Sequence, residues 1–190
     1  MTKAEIRQEM LQRRRAMSAE DKQLWDRQIF QRAHKDRSFQ VADRVHVFRS
    51  SSEEIDTWPF IEYAWGIGKE VYCPRVVGDA QLKHVRVRRS TTWSVGAFGI
   101  LEPIAEDPTD ILSEDDLGTL DAVIVPLLAF DARLHRLGYG KGFYDAFLAS
   151  TSARRIGIGY EFQKVSALPE ESHDQVLDAV ATNERWYQGR

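Results

Sequence analysis

An α/β layered fold on a mostly parallel sheet is what the sequence predicts, on three observations. Short apolar runs of strand length recur along the chain, at Val45–Phe48, Asp121–Pro126, Arg155–Tyr160 and Val176–Ala181. Stretches with apolar residues at helical spacing lie between them. The runs show little polar alternation, as strands covered on both faces do. With no repeat, low-complexity tract or Pro/Gly/Ser-rich linker in the chain, the pattern gives one domain over residues 1–190.

The elements follow in order. Lys3–Arg15 is a strongly basic helical stretch with Ile6, Met10 and Leu11 on one side. Ser18 and Asp21 resemble a capping box that opens a second helix through Leu24, Trp25, Ile29 and Ala33. Val45–Phe48 is a short strand followed by a polar loop, Ser50–Asp56. A helix is expected over Thr57–Trp65, with Pro59 in its first turn. Strands are expected at Glu70–Val76 and Leu82–Arg88; the second follows a Gly78-Asp79 turn and reads alternatively as the return strand of a hairpin. Asp121–Pro126, Arg155–Tyr160 and Val176–Ala181 supply the remaining strands, and Trp186-Tyr187 is expected to pack the tail down.

Composition narrows the function. A formal net charge of −3 argues against a general nucleic-acid binder, which is normally basic. Hydrophobic residues at 43% and charged residues at 29% are ordinary globular values, consistent with a compact enzyme domain. Cys73 is the single cysteine, so no intrachain disulfide forms, and its strand context makes it a buried small hydrophobe. No apolar run approaches a membrane span and the N-terminus lacks a signal-peptide core, so a cytoplasmic protein is expected. His34, His46, His84, His135 and His173 are scattered without metal-ligand spacing.

The densest functional signal is Arg133–Asp145, Arg-Leu-His-Arg-Leu-Gly-Tyr-Gly-Lys-Gly-Phe-Tyr-Asp. Glycines alternate at Gly138, Gly140 and Gly142, between an apolar strand and the helical spacing of Phe143, Tyr144, Phe147 and Leu148. Glycines let backbone N–H groups approach an anion, and a helix start adds partial positive charge. Arg136 and Lys141 supply cations, and Asp145 a carboxylate suited to Mg²⁺. The spacing is neither a Walker A loop nor a Gly-x-Gly-x-x-Gly dinucleotide turn. On spacing alone, a tight structural turn and a polyphosphate cradle both remain open.

The residues around this run resemble the signature of the 5-formyltetrahydrofolate cyclo-ligase (5,10-methenyltetrahydrofolate synthetase) family, from Ala129-Phe130-Asp131 through Arg136–Asp145. Further similarities fall in family order. They are Lys3-x-x-Ile6-Arg7, Arg15–Ser18, Glu54–Thr57, Pro74-Arg75, Phe98-Gly99-Ile100-x-Glu102-Pro103, Tyr160-x-x-Gln163, Leu168-Pro169 with His173-Asp174, and Ala181–Glu184. The resemblance implies a three-layer fold similar to sugar-phosphate isomerases and CoA transferases. It also implies ATP- and Mg²⁺-dependent closure of 5-formyltetrahydrofolate to 5,10-methenyltetrahydrofolate, with release of ADP and phosphate. A monomer is expected because the chain has no long apolar helix face without a partner.

Residue roles are likewise what the resemblance implies. Lys3, Arg7 and the loop from Arg136 through Leu137, Gly138, Tyr139, Gly140, Lys141, Gly142, Phe143 and Tyr144 would bind ATP, with Arg136 and Lys141 as catalytic cations. Asp145 and Asp174 match the Mg²⁺ carboxylates; by themselves they also read as capping or solvated residues. Lys3 and Arg7 share a helix face, which reads equally as a solvated basic face, as the Arg13–Arg15 triplet is read. On the folate side stand Glu54, Arg49, Phe98, Tyr139, Gly140, Lys141, Gly142 and Phe143. Glu54 would accept hydrogen bonds from the pterin, with Glu53 beside it a competitor in register, and Arg49 departs from a commonly apolar family position. Phe98 would stack on the folate rings, core packing being the alternative. Two other classes remain: a non-catalytic nucleotide- or folate-binding protein, and an ATP-dependent phosphotransferase with a non-folate acceptor.

Overall fold

A seven-stranded sheet organises the computed structural model, which describes residues 1–78, 81–96 and 98–189. Strands β1 (Arg44–Val47), β2 (Glu70–Val77), β3 (Gln81–Val87), β6 (Ala122–Pro126), β9 (Arg154–Ile158), β10 (Ala179–Ala181) and β11 (Trp186–Gln188) lie in the order β11-β10-β9-β6-β1-β2-β3. The five from β10 to β2 are parallel; β11 and β3 close the two edges antiparallel. Leu82–Arg88 is therefore the hairpin strand of the alternative reading. Gly78 begins its turn at φ +60°, while Asp79 lies outside the described residues.

Alternation along β1 and β6 separates two cores. Val45, Val47, Ile124 and Ile156 face one side, under helices α2 (Ala19–Ala33) and α4 (Trp58–Gly66), with Phe39 of the short α3 (Arg37–Val41) and Phe60. Val123, Val125 and Tyr72 face the other, under Phe147 and Leu148 of α5 (Phe143–Ala149). Helices on both faces of the sheet make three layers. Each fully buried aliphatic or aromatic side chain contributes about 1.5–3 kcal/mol relative to exposure, which sets the registers of these strands. Helix α1 (Lys3–Arg15) seals a third, smaller cluster by packing Ile6 and Met10 on Leu128, Ala129 and Leu137.

Local chemistry fixes the element ends. Thr2 caps α1 in a reciprocal box with Glu5, and Ser18 caps α2 by accepting from Asp21 N at 3.0 Å. Several expectations shift. Leu24 is exposed rather than on the buried face of α2. The last parallel strand occupies only Ala179–Ala181 of Val176–Ala181. Trp186-Tyr187 does more than pack the tail: it forms the edge strand β11. Two ribbons stand outside the main sheet, β4 (Trp93–Val95) with β5 (Leu101–Pro103), and β7 (Ala129–Phe130) with β8 (Arg136–Leu137).

Candidate active site

From β1 the chain runs outward through β2 and β3, then returns to the other side of β1 and runs outward again through β6, β9 and β10. Strand order thus reverses between β1 and β6, and open α/β sheets bind ligands in the crevice at the carboxyl ends of such a pair. A cavity of about 720 Å³ lies there, with Phe48, just past β1, and Pro126, at the end of β6, in its wall. Its size suits a substrate-sized ligand. All the sequence-predicted site residues line this one cavity: Lys3, Arg7, Arg49, Glu54, Phe98, the loop Arg136–Asp145, and Asp174.

The glycine run is not reached directly from β6, as the sequence suggested. The β7–β8 ribbon intervenes, held by buried Asp131, whose Oδ1 accepts from Arg133 N and His135 N at 2.9 and 3.1 Å. The loop then turns through Gly140 at φ +92° and Gly142 at φ +74°, where an L side chain is strained, and Gly142 starts α5. Arg136 sits under the loop, 8% exposed, with one guanidinium N–H donated to Asp145 Oδ1 at 2.8 Å. Burial lowers the Arg136 pKa against the opposing pull of Asp145; the guanidinium stays charged in any neutral solution. Asp145 Oδ1 also accepts from Gln175 N at 3.2 Å. Lys141 is exposed at the rim and has no ion-pair partner among the described residues.

Helix α1 supplies the second wall. Arg7 Nε donates to Gly138 O at 2.9 Å, and a Cβ at Gly140 would stand 3.0 Å from the Arg7 guanidinium carbon, so the glycine makes room for that cation. Lys3 Nζ meets Asp174 Oδ2 at 2.9 Å and Glu171 Oε1 at 3.0 Å. Burial works against the charge on Lys3, but the hydrogen bonds to Asp174 and Glu171 prevail and raise its pKa. Asp174 shows the converse: burial pushes its pKa up, and the bonds from Lys3 and the Glu171 backbone bring it below the usual value. Lys3 and Arg7 thus sit in the cavity wall, not on a solvated face.

In the Arg13–Arg15 triplet, Arg13 and Arg15 are exposed as expected, and Arg14 is not. Arg15 pairs at the surface with Glu53 at 2.9 Å, and Arg13 lies over the Phe162 ring. Arg14, by contrast, is 7% exposed and hydrogen-bonded to Leu127 O and to the Tyr139 hydroxyl. Helical periodicity around Ile6 and Met10 carried the signal, because the position four after Met10 falls on the same buried stripe.

The opposite wall comes from the loop after β1 and the β4–β5 ribbon. Thr57 is buried and ties the loop, its hydroxyl donating to Phe48 O at 2.5 Å and accepting from Ser50 N at 3.1 Å. The carboxylate of Glu54 is turned inward at 5% exposure, with Oε2 accepting from Ser51 N at 2.8 Å, while Glu53 faces out to Arg15. The geometry distinguishes the two neighbours. Arg49 lies over Trp58 with its guanidinium carbon 5.0 Å from the ring centre, and its Nη1 is 3.8 Å from Asp56. Phe98 is 54% exposed, 6.3 Å from the Phe143 ring centre, which removes core packing as its role. Glu102 is also in the wall and 8% exposed, and the sequence marks it only through the Phe98–Pro103 motif.

One end of the cavity is therefore rich in cations and backbone N–H groups, the other in apolar rings with the buried carboxylates of Glu54 and Glu102. Such a surface aligns and neutralises a polyanion beside a flat heterocycle. Cys73 is buried on β2 and burial raises its thiol pKa, so it is no nucleophile. His46 and His84, far apart in sequence, meet at 3.1 Å beneath α5, outside the cavity wall.

A model of the 5-formyltetrahydrofolate cyclo-ligase family matches residues 1–183. A 5-formyltetrahydrofolate cyclo-ligase of Escherichia coli strain K12 is 35% identical over 176 residues, covering 90% of this chain and 94% of its own. A probable 5-formyltetrahydrofolate cyclo-ligase of Caenorhabditis elegans is 31% identical over 189 residues, covering 94% and 91%. The solution structure of Aquifex aeolicus 5,10-methenyltetrahydrofolate synthetase superposes with a TM-score of 0.84 at 28% identity, over 100% of this chain and 95% of that one.

Proposed function

This chain belongs to the 5-formyltetrahydrofolate cyclo-ligase family, and we propose that its cavity closes 5-formyltetrahydrofolate to 5,10-methenyltetrahydrofolate with conversion of ATP to ADP and phosphate. The observation that carries the reading is the single cavity: one wall is cationic and glycine-rich, the other aromatic with buried carboxylates.

The chemistry accounts for the residue types. A formamide oxygen is a poor leaving group, so the neighbouring amine nitrogen cannot displace it directly. Transfer of the γ-phosphoryl group to that oxygen gives an iminium phosphate and ADP. Attack by the amine then forms the ring C–N bond; the C–O bond breaks, phosphate leaves, and the amine proton passes to solvent. The attacking formyl oxygen carries no proton, so the first step calls for alignment and charge neutralisation rather than a base. Backbone N–H groups from Leu137 to Gly142, with Arg136, Lys141, Lys3 and Arg7, would hold the triphosphate. Glu54 would accept from the pterin, and Phe98, Tyr139 and Phe143 would cover its rings, with Arg49 beside them.

Mg²⁺ fits this wall, because it is commonly held by one or two carboxylates with substrate phosphates completing its shell. Asp145 and Asp174 are two hard oxygen donors on the cationic side of the cavity, and they would hold the ion; its contribution is to offset phosphate charge. No group of three or more His, Cys, Asp or Glu suited to a metal occurs among the described residues, so substrate oxygens would supply the remaining ligands. Monomeric action of one catalytic domain in the cytoplasm belongs to the same proposal; no described helix is long and apolar enough to cross a membrane.

The test is whether ATP consumption depends on the folate. ADP should form in step with 5-formyltetrahydrofolate consumed and stay at background without it. Equal ADP formation with and without the folate would favour a phosphotransferase with another acceptor, and no ADP at all would favour a binding protein.

A further inference from the structure

Two motifs of the sequence, Pro74-Arg75 and Phe98–Pro103, meet where the β4–β5 ribbon lies against β2. Strand β1 pairs with β2 only as far as Tyr72, so beyond that residue this edge of β2 carries no described strand. An uncovered edge leaves backbone N–H groups that need acceptors. Proline at position 74 removes one such donor. The N–H of Val76 is taken by the ribbon instead, donating to Glu102 Oε1 at 3.3 Å. Beside it, Arg75 Nη1 donates to Pro103 O at 2.9 Å and seats the base of the ribbon.

Glu102 also meets the facing end of its own ribbon. A Cβ at Gly96 would fall on the Glu102 carboxylate, so a side chain there and the carboxylate exclude each other. The buried carboxylate thus stands between β2 and Gly96, and its described partners are a backbone N–H and a glycine rather than a cation. Gly96 N donates to Ile100 O at 2.8 Å and Gly96 O accepts from Gly99 N at 3.1 Å, which closes the turn that carries Phe98. The Phe98 ring is half-exposed and its aromatic neighbour is Phe143 across the cavity wall. Its own packing does not fix it; the backbone of the turn does.

We propose that Glu102 is a positioning residue: it spaces the β4–β5 ribbon from the bare edge of β2 and so holds Phe98 over the folate end of the cavity. This deepens the cyclo-ligase reading and rests on it. The feature of the ligand served in this way is the flat face of the pterin, since a stacked ring needs a fixed plane. Without the carboxylate between them, β2 and the turn lose their spacing, and the Phe98 ring leaves that plane.

The experiment is calorimetric binding of 5-formyltetrahydrofolate and of ATP, with steady-state kinetics, for wild type and five variants. These are Phe98→Ala, Glu102→Ala, Glu102→Gln, Gly96→Ala and the double variant of Glu102→Ala with Phe98→Ala. Phe98→Ala should raise the folate Kd about tenfold, the scale of losing one stacked aromatic ring. Glu102→Ala should raise it about fivefold, the ring being present but misplaced. Glu102→Gln keeps an acceptor for Val76 N–H and should stay within about twofold of wild type. Gly96→Ala keeps the carboxylate but displaces it, and should weaken folate binding as Glu102→Ala does. The losses should fall on the folate KM rather than on kcat, with ATP affinity unchanged. The double variant should bind no more weakly than Phe98→Ala, because both changes remove the same stack. Additive losses would overturn the proposal, as would unchanged folate affinity in folded Glu102→Ala. Glu102→Gln binding as weakly as Glu102→Ala would also overturn it, by showing that the ligand reads the charge directly. If Glu102→Ala fails to fold, Gly96→Ala decides: its effect should vanish in a Phe98→Ala background, and an undiminished effect counts against the proposal. A wild type that binds the folate beside an unaffected Glu102→Ala removes the positioning role alone. A wild type that does not bind the folate removes the cyclo-ligase reading and this role with it.

Discussion

Gly140→Ala and Gly142→Ala form a pair whose difference isolates one contact. Both glycines have positive φ, +92° and +74°. An L residue there costs about 1–2 kcal/mol, and the alanine returns about 0.5 kcal/mol by restricting the unfolded chain. A Cβ at Gly142 meets nothing within 4 Å, so that variant carries the conformational cost alone, about 1 kcal/mol. A Cβ at Gly140 stands 3.0 Å from two atoms of the Arg7 guanidinium, which must move. Displacing it by a few tenths of an ångström strains the 2.9 Å bond from Arg7 Nε to Gly138 O, worth up to about 1.5 kcal/mol for a charged donor. Gly140→Ala should therefore bind ATP more weakly than Gly142→Ala, by up to about tenfold. It should also melt lower, by up to about 6 °C at roughly 2–4 °C per kcal/mol for a chain of this size. Calorimetric ATP titration and thermal melts of both variants read the two quantities. Equal ATP affinity in the two variants would refute the account of Gly140 as the residue that makes room for Arg7.

Other outcomes follow from the same geometry. Arg136→Ala should lower turnover by about a hundredfold or more, the scale of removing one transition-state donor. Its stability cost should be smaller than that of Asp145→Ala, because Asp145 keeps 22% exposure and can hydrate whereas Arg136 cannot; near-normal turnover removes Arg136 from the mechanism. Asp145→Asn should shift the Mg²⁺ concentration required for half-maximal turnover upward, and an unchanged Mg²⁺ dependence excludes that carboxylate. His84 is buried beside His46 and Phe147, and burial holds its pKa down at about 4. The unfolded chain takes up that proton first as pH falls below about 6.5, so stability falls between pH 6.5 and 4, by about 3 kcal/mol for His84. His84→Phe should flatten the dependence of the melting midpoint over that range, and an identical slope counts against it.

The fold was largely legible where one physical signal dominated. Ala122–Val125 is apolar without alternation because both faces of β6 are covered, and the structure buries each of these residues. The edge strand β11 was not legible: Trp186–Gln188 pairs only on one side, with β10, and three residues carry too little periodicity to announce a strand. The glycine loop was visible because positive φ at Gly140 and Gly142 demands glycine. Glu54 was found through the resemblance; its separation from Glu53 needed the turn made by Ser50, Ser51 and Thr57. Arg14 was misplaced because charge alone suggested solvent, while its acceptors, Leu127 O and Tyr139, lie more than a hundred residues away. The same distance concealed the His46–His84 pair, which only strand order brings together.

The central claim is chemical, and near-ultraviolet absorbance of the methenyl product tests it most directly. Purified protein is mixed with 5-formyltetrahydrofolate, ATP and Mg²⁺, and each component is omitted in turn. The account predicts a rise that needs all three and disappears when ATP is replaced by ADP. A flat trace from folded protein that still binds ATP would contradict it.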